Sequence, residues 1–335
     1  MTCAVVLICD TNFILPSFAT AISARANISL DNVPIIIFVT DATEASLARL
    51  KTPAASRGVD LIPAQIPEIE AFKSSHRDRF LPVATLSRFW VDRLLPDNVD
   101  RFLYLDGDIL VNGKIDELLL SHVPQGGILT APDTVALCAD EIGPAPRREK
   151  AYLDGLGVGF DDYFNAGVLL ADRSGWRAIA DDAMRFLKDH PDKCRSSDQS
   201  ALNAVTKGKR GKLSQRWNYQ SDHMTVLDPR TIGLEPAIYH FTGGPKPWHQ
   251  ATWPWDESFN WAYREALQIF EGLNVADPKP SPAQLSEGLA HRARAWSRLN
   301  YYFPWRRITR GRRIRQLLLD GFGGATLAAA SGKAA

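Results

Sequence analysis

The sequence predicts an α/β fold with a mixed, mostly parallel sheet covered by helices. Three observations lead there. Short continuous apolar runs, such as Cys3–Cys9 and Pro34–Val39, read as strands buried on both faces. They alternate with segments of helical period, the pattern of parallel strands joined by covering helices. Finally, the apolar run over residues 102–111 carries two carboxylates, Asp106 and Asp108, separated by Gly107. Two acids so placed repel each other when buried. At the C-terminal edge of a strand, where α/β folds bind ligands, they can clamp a divalent cation instead.

The elements follow in order. Cys3–Cys9 is the first strand, and Asp10-Thr11-Asn12-Phe13 is the turn after it. Leu15–Ala26 fits a helix with small and apolar residues on one face. Pro34–Val39 and Val59–Ile62 are strands flanking a helix over Ala45–Leu50. Thr85–Leu95 reads as an amphipathic helix stopped by Pro96, followed at once by one buried strand through 102–111. Tyr163–Leu170 is a further strand, Asp181–Lys188 a helix, and Ser197–Val205 a helix capped by Ser196 or Ser197. A Pro/Trp-rich stretch from Gly243 to Trp255 separates this body from the segment after Pro280.

At 335 residues, with 45% hydrophobic and 23% charged residues, the chain holds one large α/β domain with an appendage, and wholesale disorder is excluded. Charge is uneven. Nine arginines and no acid lie between Arg292 and Arg315, whereas residues 1–290 carry 29 Lys/Arg against 37 Asp/Glu. An acidic body with a basic tail argues against a nucleic-acid groove and for a catalytic domain with a surface-binding segment. The expected division is 1–265 catalytic, 280–320 basic and helical, and 321–335 a disordered tail. Cys3, Cys9, Cys138 and Cys194 are scattered, which fits a reducing cytosol. The run Ala4–Cys9 lacks a basic leader and reads as a strand, and no apolar stretch reaches the roughly 20 residues that span a bilayer.

Other polar residues fall where a ligand would sit. Asp10 and Asn12 follow the first strand, Arg88 lies on the helix leading to the acidic strand, and Asn165 and Gly167 interrupt an apolar strand. An amide in such a strand is hydrogen-bonded or functional. Asp198 and Gln199 open a helix, where Asp198 serves equally well as a cap. In His240-Phe-Thr-Gly-Gly-Pro-Lys-Pro-Trp248 a potential metal ligand precedes a glycine loop and a lysine. Glycine lets backbone amides approach phosphate, and Lys246 adds a compact charge.

Together, Cys9–Phe13, Ser87-Arg88-Phe89, Tyr104-Leu-Asp-Gly-Asp-Ile109, Phe164-Asn-Ala-Gly-Val168, Asp198-Gln199 and His240–Trp248 resemble family 8 retaining glycosyltransferases of the bacterial lipopolysaccharide galactosyl- and glucosyltransferase type. The likeness covers roughly residues 3–262. It implies a Rossmann-like GT-A fold, a UDP-glucose or UDP-galactose donor, and Mn²⁺ or Mg²⁺ held by Asp106, Asp108 and His240. Ile8, Cys9, Asp10, Asn12 and Gly107 would meet uridine and ribose. Gly243 and Lys246 would meet the diphosphate, and Arg88, Asn165, Gly167, Asp198 and Gln199 the donor sugar. Gln199, Asp198, Lys246 and Arg88 become the catalytic candidates, and Asp133, a poorer match, would face the acceptor. The pair Gly244-Pro245 departs from the family pattern, so the path of this loop is open.

The implied reaction transfers a hexose to a hydroxyl of a glycan or lipid-linked acceptor, as in cell-surface polysaccharide synthesis. The alternatives are a haloacid-dehalogenase-type phosphatase, a non-catalytic UDP-sugar-binding protein, and a self-glucosylating glycogen primer. In the tail, arginines interleave with Trp296, Tyr301, Tyr302, Phe303 and Trp305. Two readings stand: a helix packed on the body, or an anchor on anionic lipid at the inner face of the cytoplasmic membrane, with the protein itself cytoplasmic. On the anchor reading, truncation after Pro280 gives a more soluble protein that still acts on a water-soluble acceptor, provided the fold tolerates the loss.

Overall fold

The computed structural model describes residues 2–69 and 86–320. Thr85, the start expected for one helix, and the 321–335 tail lie outside the described residues. The main sheet has the order β3-β2-β1-β4-β7-β6-β8. Its strands are β1 (Cys3–Cys9), β2 (Ile35–Val39), β3 (Asp60–Pro63), β4 (Arg101–Leu105), β6 (Ile128–Pro132), β7 (Phe164–Asp172) and β8 (Arg210–Lys212). β1, β2, β3 and β4 run parallel, whereas β7 is antiparallel to both its neighbours, β4 and β6. A smaller sheet, β5-β10-β9, is made of β5 (Ile109–Val111), β10 (Ile238–His240) and β9 (Tyr219–Gln220).

The run over 102–111 is therefore not one strand. It ends in the large sheet at Leu105, passes through Asp106-Gly107-Asp108, and re-enters the small sheet at Ile109, where Ile109 pairs with His240. Apolarity alone could not separate the halves, because both pieces are buried. The helix expected over 85–95 is a 3₁₀ turn at Arg88–Trp90 leading into Val91–Leu94. The helix expected from Asp181 begins earlier, spanning Arg173–Asp189.

Strand alternation sorts the core onto two faces. Val5, Leu7, Leu103 and Leu105 pack with Phe18 and Ile22 of the helix Ile14–Ala26. Val6, Phe102 and Tyr104 pack on the opposite side with Phe89, Trp176 and Ile179. The outer edge of β5 is closed by side chains of the helix Ile14–Ala26 rather than by a strand. Thr20 Oγ1 donates to the Ile109 carbonyl at 2.7 Å and accepts from its N–H at 3.2 Å. The Val111 N–H donates to Ser23 Oγ at 3.0 Å, and Asn27 Nδ2 donates to the Val111 carbonyl at 2.9 Å. Those polar residues satisfy an edge that would otherwise carry orphaned, buried backbone groups.

The C-terminal segment folds back onto this body as helices Pro282–Ser297 and Pro304–Leu319 joined by a π-helical turn at Arg298–Tyr302. Buried Arg292 donates to the carbonyls of Pro245 and Thr252 and to Thr252 Oγ1. A Cβ at Gly288 would lie 3.0 Å from the Pro245 ring. Arg310 pairs with Glu141 at 2.6 Å, Arg313 with Asp161, and Ile314 and Leu318 are buried. Truncation after Pro280 would thus strip contacts from the 243–248 loop, as the packed-helix reading of the tail expects. Trp296, Tyr301, Tyr302, Trp305 and Ile308 remain exposed.

Thr20→Val should cost about 1–3 kcal/mol, because both backbone groups of Ile109 lose their buried partner while shape is kept. Urea unfolding monitored by circular dichroism measures this, and an unchanged midpoint would contradict the edge-closure account.

Candidate functional site

The break between the two sheets brings the acidic residues to β10. Asp106 is tied to β7 by its N–H on the Gly167 carbonyl at 2.9 Å. The Phe241 N–H reaches back to the Asp108 carbonyl, also at 2.9 Å, so the strand end carrying His240 is fastened to the acidic turn. Close approach here requires glycine. A Cβ at Gly167 would stand 2.3 Å from His240 Cε1 and 2.7 Å from Asp106 Oδ2. One at Gly107 would stand 2.4 Å from Ser17 Oγ and 3.0 Å from the Phe13 ring.

Each carboxylate commits one oxygen to protein donors and turns the other to a shared centre. Asp106 Oδ1 accepts from Arg88 Nη2 and from Tyr104 Oη, each at 3.0 Å. Asp108 Oδ2 accepts from Lys246 Nζ at 2.6 Å. Asp106 Oδ2 and Asp108 Oδ1 then face His240 Nε2, at 3.9 and 3.1 Å. Asp106, Asp108 and His240 each place a ligand atom within 4.8 Å of the others, the one such group of three among the described residues. Burial works against the Asp108 charge, yet the Lys246 ammonium beside it holds its carboxyl well below the ordinary range.

Arg88 is the hub on the other side. Its guanidinium donates to the Ala166 carbonyl at 2.9 Å, pairs through Nε with Asp198 Oδ2 at 3.0 Å, and lies 4.6 Å over the Tyr104 ring. Trp176 Nε1 fixes the Arg88 backbone carbonyl at 3.2 Å. Burial disfavours the Arg88 charge, but Asp198, Tyr104 and Asp106 outweigh it and raise its pKa. With three carboxylates against Arg88 and Lys246, the cluster keeps a net negative charge when His240 is neutral. Two carboxylate oxygens and one imidazole nitrogen form a donor set suited to Mn²⁺ or a similar divalent cation.

A chain of amides runs from this cluster. Asn165 Oδ1 accepts from the Gly167 N–H at 3.0 Å and from Asn218 Nδ2 at 2.9 Å. Gln199 Oε1 accepts from the Ala166 N–H at 3.1 Å and from Asn165 Nδ2 at 3.2 Å. Gln199 Nε2 donates to Asp133 Oδ2 and to Tyr163 Oη, both at 3.2 Å. Asn203 pins the helix Ser197–Val205 to β7 through both backbone groups of Phe164, which sets Gln199 in place. Burial raises the Asp133 carboxyl, against the bonds it accepts from Val135 and Gln199.

Two sequence expectations are corrected here. Ser196 occupies the N-cap position but makes no side-chain cap bond, and Ser197 has a left-handed φ of 49°. Asp198 is turned inward to Arg88, so an ion pair rather than capping occupies its carboxylate. Ile8 and Cys9 are buried at the end of β1, and Asp10 and Asn12 follow at the same sheet edge. Asp10 Oδ1 is buried and has no hydrogen-bond partner among the described residues. Gly243 has a φ of +69° with open space around it, and Lys246 reaches back from the same loop to Asp108. Tyr104, Tyr163 and Asn218 escaped sequence reasoning. An amide between two aromatics, Trp217-Asn218-Tyr219, carried the same signal as Asn165.

The fold is of the GT-A type. The crystal structure of the galactosyltransferase LgtC with donor and acceptor sugar analogs aligns with a TM-score of 0.61 over 84% of this chain and 100% of that one, at 20% identity. The apo structure of the bifunctional glycosyltransferase WbbM aligns at 0.59 and 20% identity, over 82% of this chain and 50% of that one. A sequence model of Glycosyl transferase family 8 matches residues 4–252, and the chain belongs to that family. General stress protein A of Bacillus subtilis is 31% identical over 197 residues, covering 54% of this chain and 63% of that protein. Lipopolysaccharide 1,3-galactosyltransferase of Salmonella typhimurium is 29% identical over 192 residues, covering 54% of each. Lipopolysaccharide 1,2-glucosyltransferase of Escherichia coli is 27% identical over 172 residues, covering 49% and 48%. The chain thus spans about half to two thirds of the length of these curated relatives. The phosphatase alternative places its nucleophilic aspartate after a first strand, whereas Asp106 follows β4 and accepts from Arg88 and Tyr104.

Gly167→Ala should displace His240 or Asp106, since the added Cβ meets both below 3.0 Å. Loss of Mn²⁺ binding with an unchanged circular dichroism spectrum is the expected result, read by calorimetric titration.

Proposed function

We propose that this protein is a retaining hexosyltransferase that moves glucose or galactose from a UDP-sugar to a hydroxyl of a glycan or lipid-linked saccharide. The observation that carries the reading is the convergence of Asp106, Asp108 and His240 on one centre, with Lys246 and Arg88 as flanking cations. Family membership and the lipopolysaccharide glucosyl- and galactosyltransferase names of several relatives support the hexose class.

Asp106, Asp108 and His240 would hold Mn²⁺ or Mg²⁺, which supplies charge neutralisation for the donor diphosphate. Lys246 sits within reach of Asp108 and, with a diphosphate present, adds positive charge where the leaving group gains negative charge. Asp10 and Asn12 face the nucleoside, and the freedom of Gly243 lets backbone amides meet phosphate. In the reaction the C1–phosphate oxygen bond breaks and a C1–acceptor oxygen bond forms on the same face, with the acceptor proton passing to the departing diphosphate. Gln199 lies beneath the sugar in this reading. Its Oε1 already accepts two hydrogen bonds, which leaves it poorly suited to attack C1. Asp198 is 4% exposed and ion-paired to Arg88, so it positions rather than attacks. Both facts favour front-face substitution over a covalent intermediate.

The acceptor enters beside Asp133. A cavity of about 290 Å³ lies there, lined by Asp133, Asn165, Ser221, Asp222, Thr242 and His291. Its alternating carboxylates, hydroxyls and amide suit a polyhydroxylated ring. The exposed Trp296, Tyr301, Tyr302 and Trp305, beside an arginine-rich helix, fit peripheral attachment to the inner face of the cytoplasmic membrane, where a lipid-linked acceptor is presented. No described helix is long and apolar enough to cross a membrane.

Release of UDP from UDP-glucose and UDP-galactose, assayed with Mn²⁺ and with EDTA, tests the reaction. Turnover of one donor that EDTA abolishes is expected, and Lys246→Ala or Asp108→Ala should each lower it by about 10²–10³-fold. Wild-type rates in both variants would sink the assignment. For the surface, the double variant Tyr301→Ala/Trp305→Ala should co-sediment less with phosphatidylglycerol vesicles while releasing UDP normally. Equal sedimentation would remove the membrane role.

A further inference from the structure

Resting on the metal-site reading above, we infer that Asn218 is a positioning residue that fixes the ring tautomer of His240. The argument turns on hydrogen-bond sense. Backbone N–H groups can only donate, so the Gly167 N–H at 3.0 Å makes Asn165 Oδ1 an acceptor. The Ala166 N–H does the same for Gln199 Oε1 at 3.1 Å, which requires the Asn165 end facing Gln199 to be its Nδ2. The group of Asn218 that meets Asn165 Oδ1 at 2.9 Å must then be its donor, Nδ2. That leaves Asn218 Oδ1 toward His240 Nδ1 at 3.0 Å. An amide oxygen cannot donate, so His240 Nδ1 carries the proton. In the neutral ring Nε2 is left with its lone pair directed at Asp106 Oδ2 and Asp108 Oδ1.

Three acceptors facing one another are unfavourable unless a cation stands between them. Without the Asn218 oxygen the preference reverses: Nδ1 loses its partner, and the proton is better placed on Nε2, 3.1 Å from Asp108 Oδ1. A protonated Nε2 cannot ligate a metal. Asn218 is well held for the task. It is fully buried, its N–H donates to the Gln215 carbonyl, and its own carbonyl accepts from Gln215 Nε2. It also directly precedes β9, whose Gln220 pairs with His240 on β10. Outer partners of this kind orient ligating histidines and raise their basicity.

The test uses the full chain with Mn²⁺ alone, titrated by electron paramagnetic resonance, with folding checked by circular dichroism. Asn218→Ala should weaken Mn²⁺ binding 10–100-fold and, without metal, shift the His240 proton from Nδ1 to Nε2 in long-range ¹H–¹⁵N spectra. A folded Asn218→Ala that binds as wild type, or that keeps its His240 proton on Nδ1, overturns the inference. Should the alanine variant not fold, long-range ¹H–¹⁵N spectra of the metal-free wild type at mildly alkaline pH, where the ring is neutral, decide the matter. His240 must show a protonated Nδ1, and a protonated Nε2 overturns the inference. Neither readout uses sugar transfer. A wild type that binds Mn²⁺ yet releases no UDP would therefore refute the proposed reaction while these spectra still decide the role of Asn218. A wild type that binds no Mn²⁺ refutes both.

Discussion

The organisation of this protein depends on pairing the carboxyl groups of Asp106, Asp108 and Asp198 at a largely buried sheet edge. Buried charge is costly unless paired and hydrogen-bonded. Arg88 answers two of the three carboxylates and Lys246 the third. Each cation is in turn held by other parts of the fold. Trp176 from the helix Arg173–Asp189 fixes the Arg88 backbone, and the Phe241 carbonyl accepts from Lys246. The residual negative charge falls on the two oxygens that face His240.

The step from one sheet to the other makes this arrangement accessible. Had residues 102–111 continued as one strand, alternation would have sent Asp106 and Asp108 to one face of a closed sheet, with their backbone groups locked in the ladder. Instead β4 ends at Leu105, and β5 begins again against β10, which delivers His240. Such a transfer leaves the far edge of β5 without a strand partner. Thr20, Ser23 and Asn27 supply what the ladder lacks. Polar residues on the buried face of the helix Ile14–Ala26 are therefore a consequence of how the acidic turn is built.

Much of this was legible in the sequence because the signals were local. Continuous apolar runs gave β1, β2 and β7, and residue chemistry picked out Asp106, Asp108, His240 and Lys246 before any geometry. What escaped was non-local. The division of 102–111 between two sheets depends on which strand lies beside Ile109, and His240 is 131 positions away along the chain. Asp198 was ambiguous because a helix opening offers an aspartate a cap at no cost in sequence terms, and only the approach of Arg88 decides otherwise. Asn218 was missed for the same reason: its partners, Asn165 and His240, come from strands distant in sequence.

The C-terminal segment shows where charge patterning stops short of a mechanical role. Its run of arginines left a packed helix and a surface anchor both open, and Arg292 is buried against the carbonyls of Pro245 and Thr252, with Gly288 packed on Pro245. Arg310 and Arg313 turn inward to Glu141 and Asp161, while Ser214 Oγ donates to the last carbonyls of the final helix. The inward face of these helices is thus a brace for the loop that carries Lys246. The outward face presents the aromatics. One segment bears on the loop that carries Lys246 with one side and presents its aromatics to the surroundings with the other.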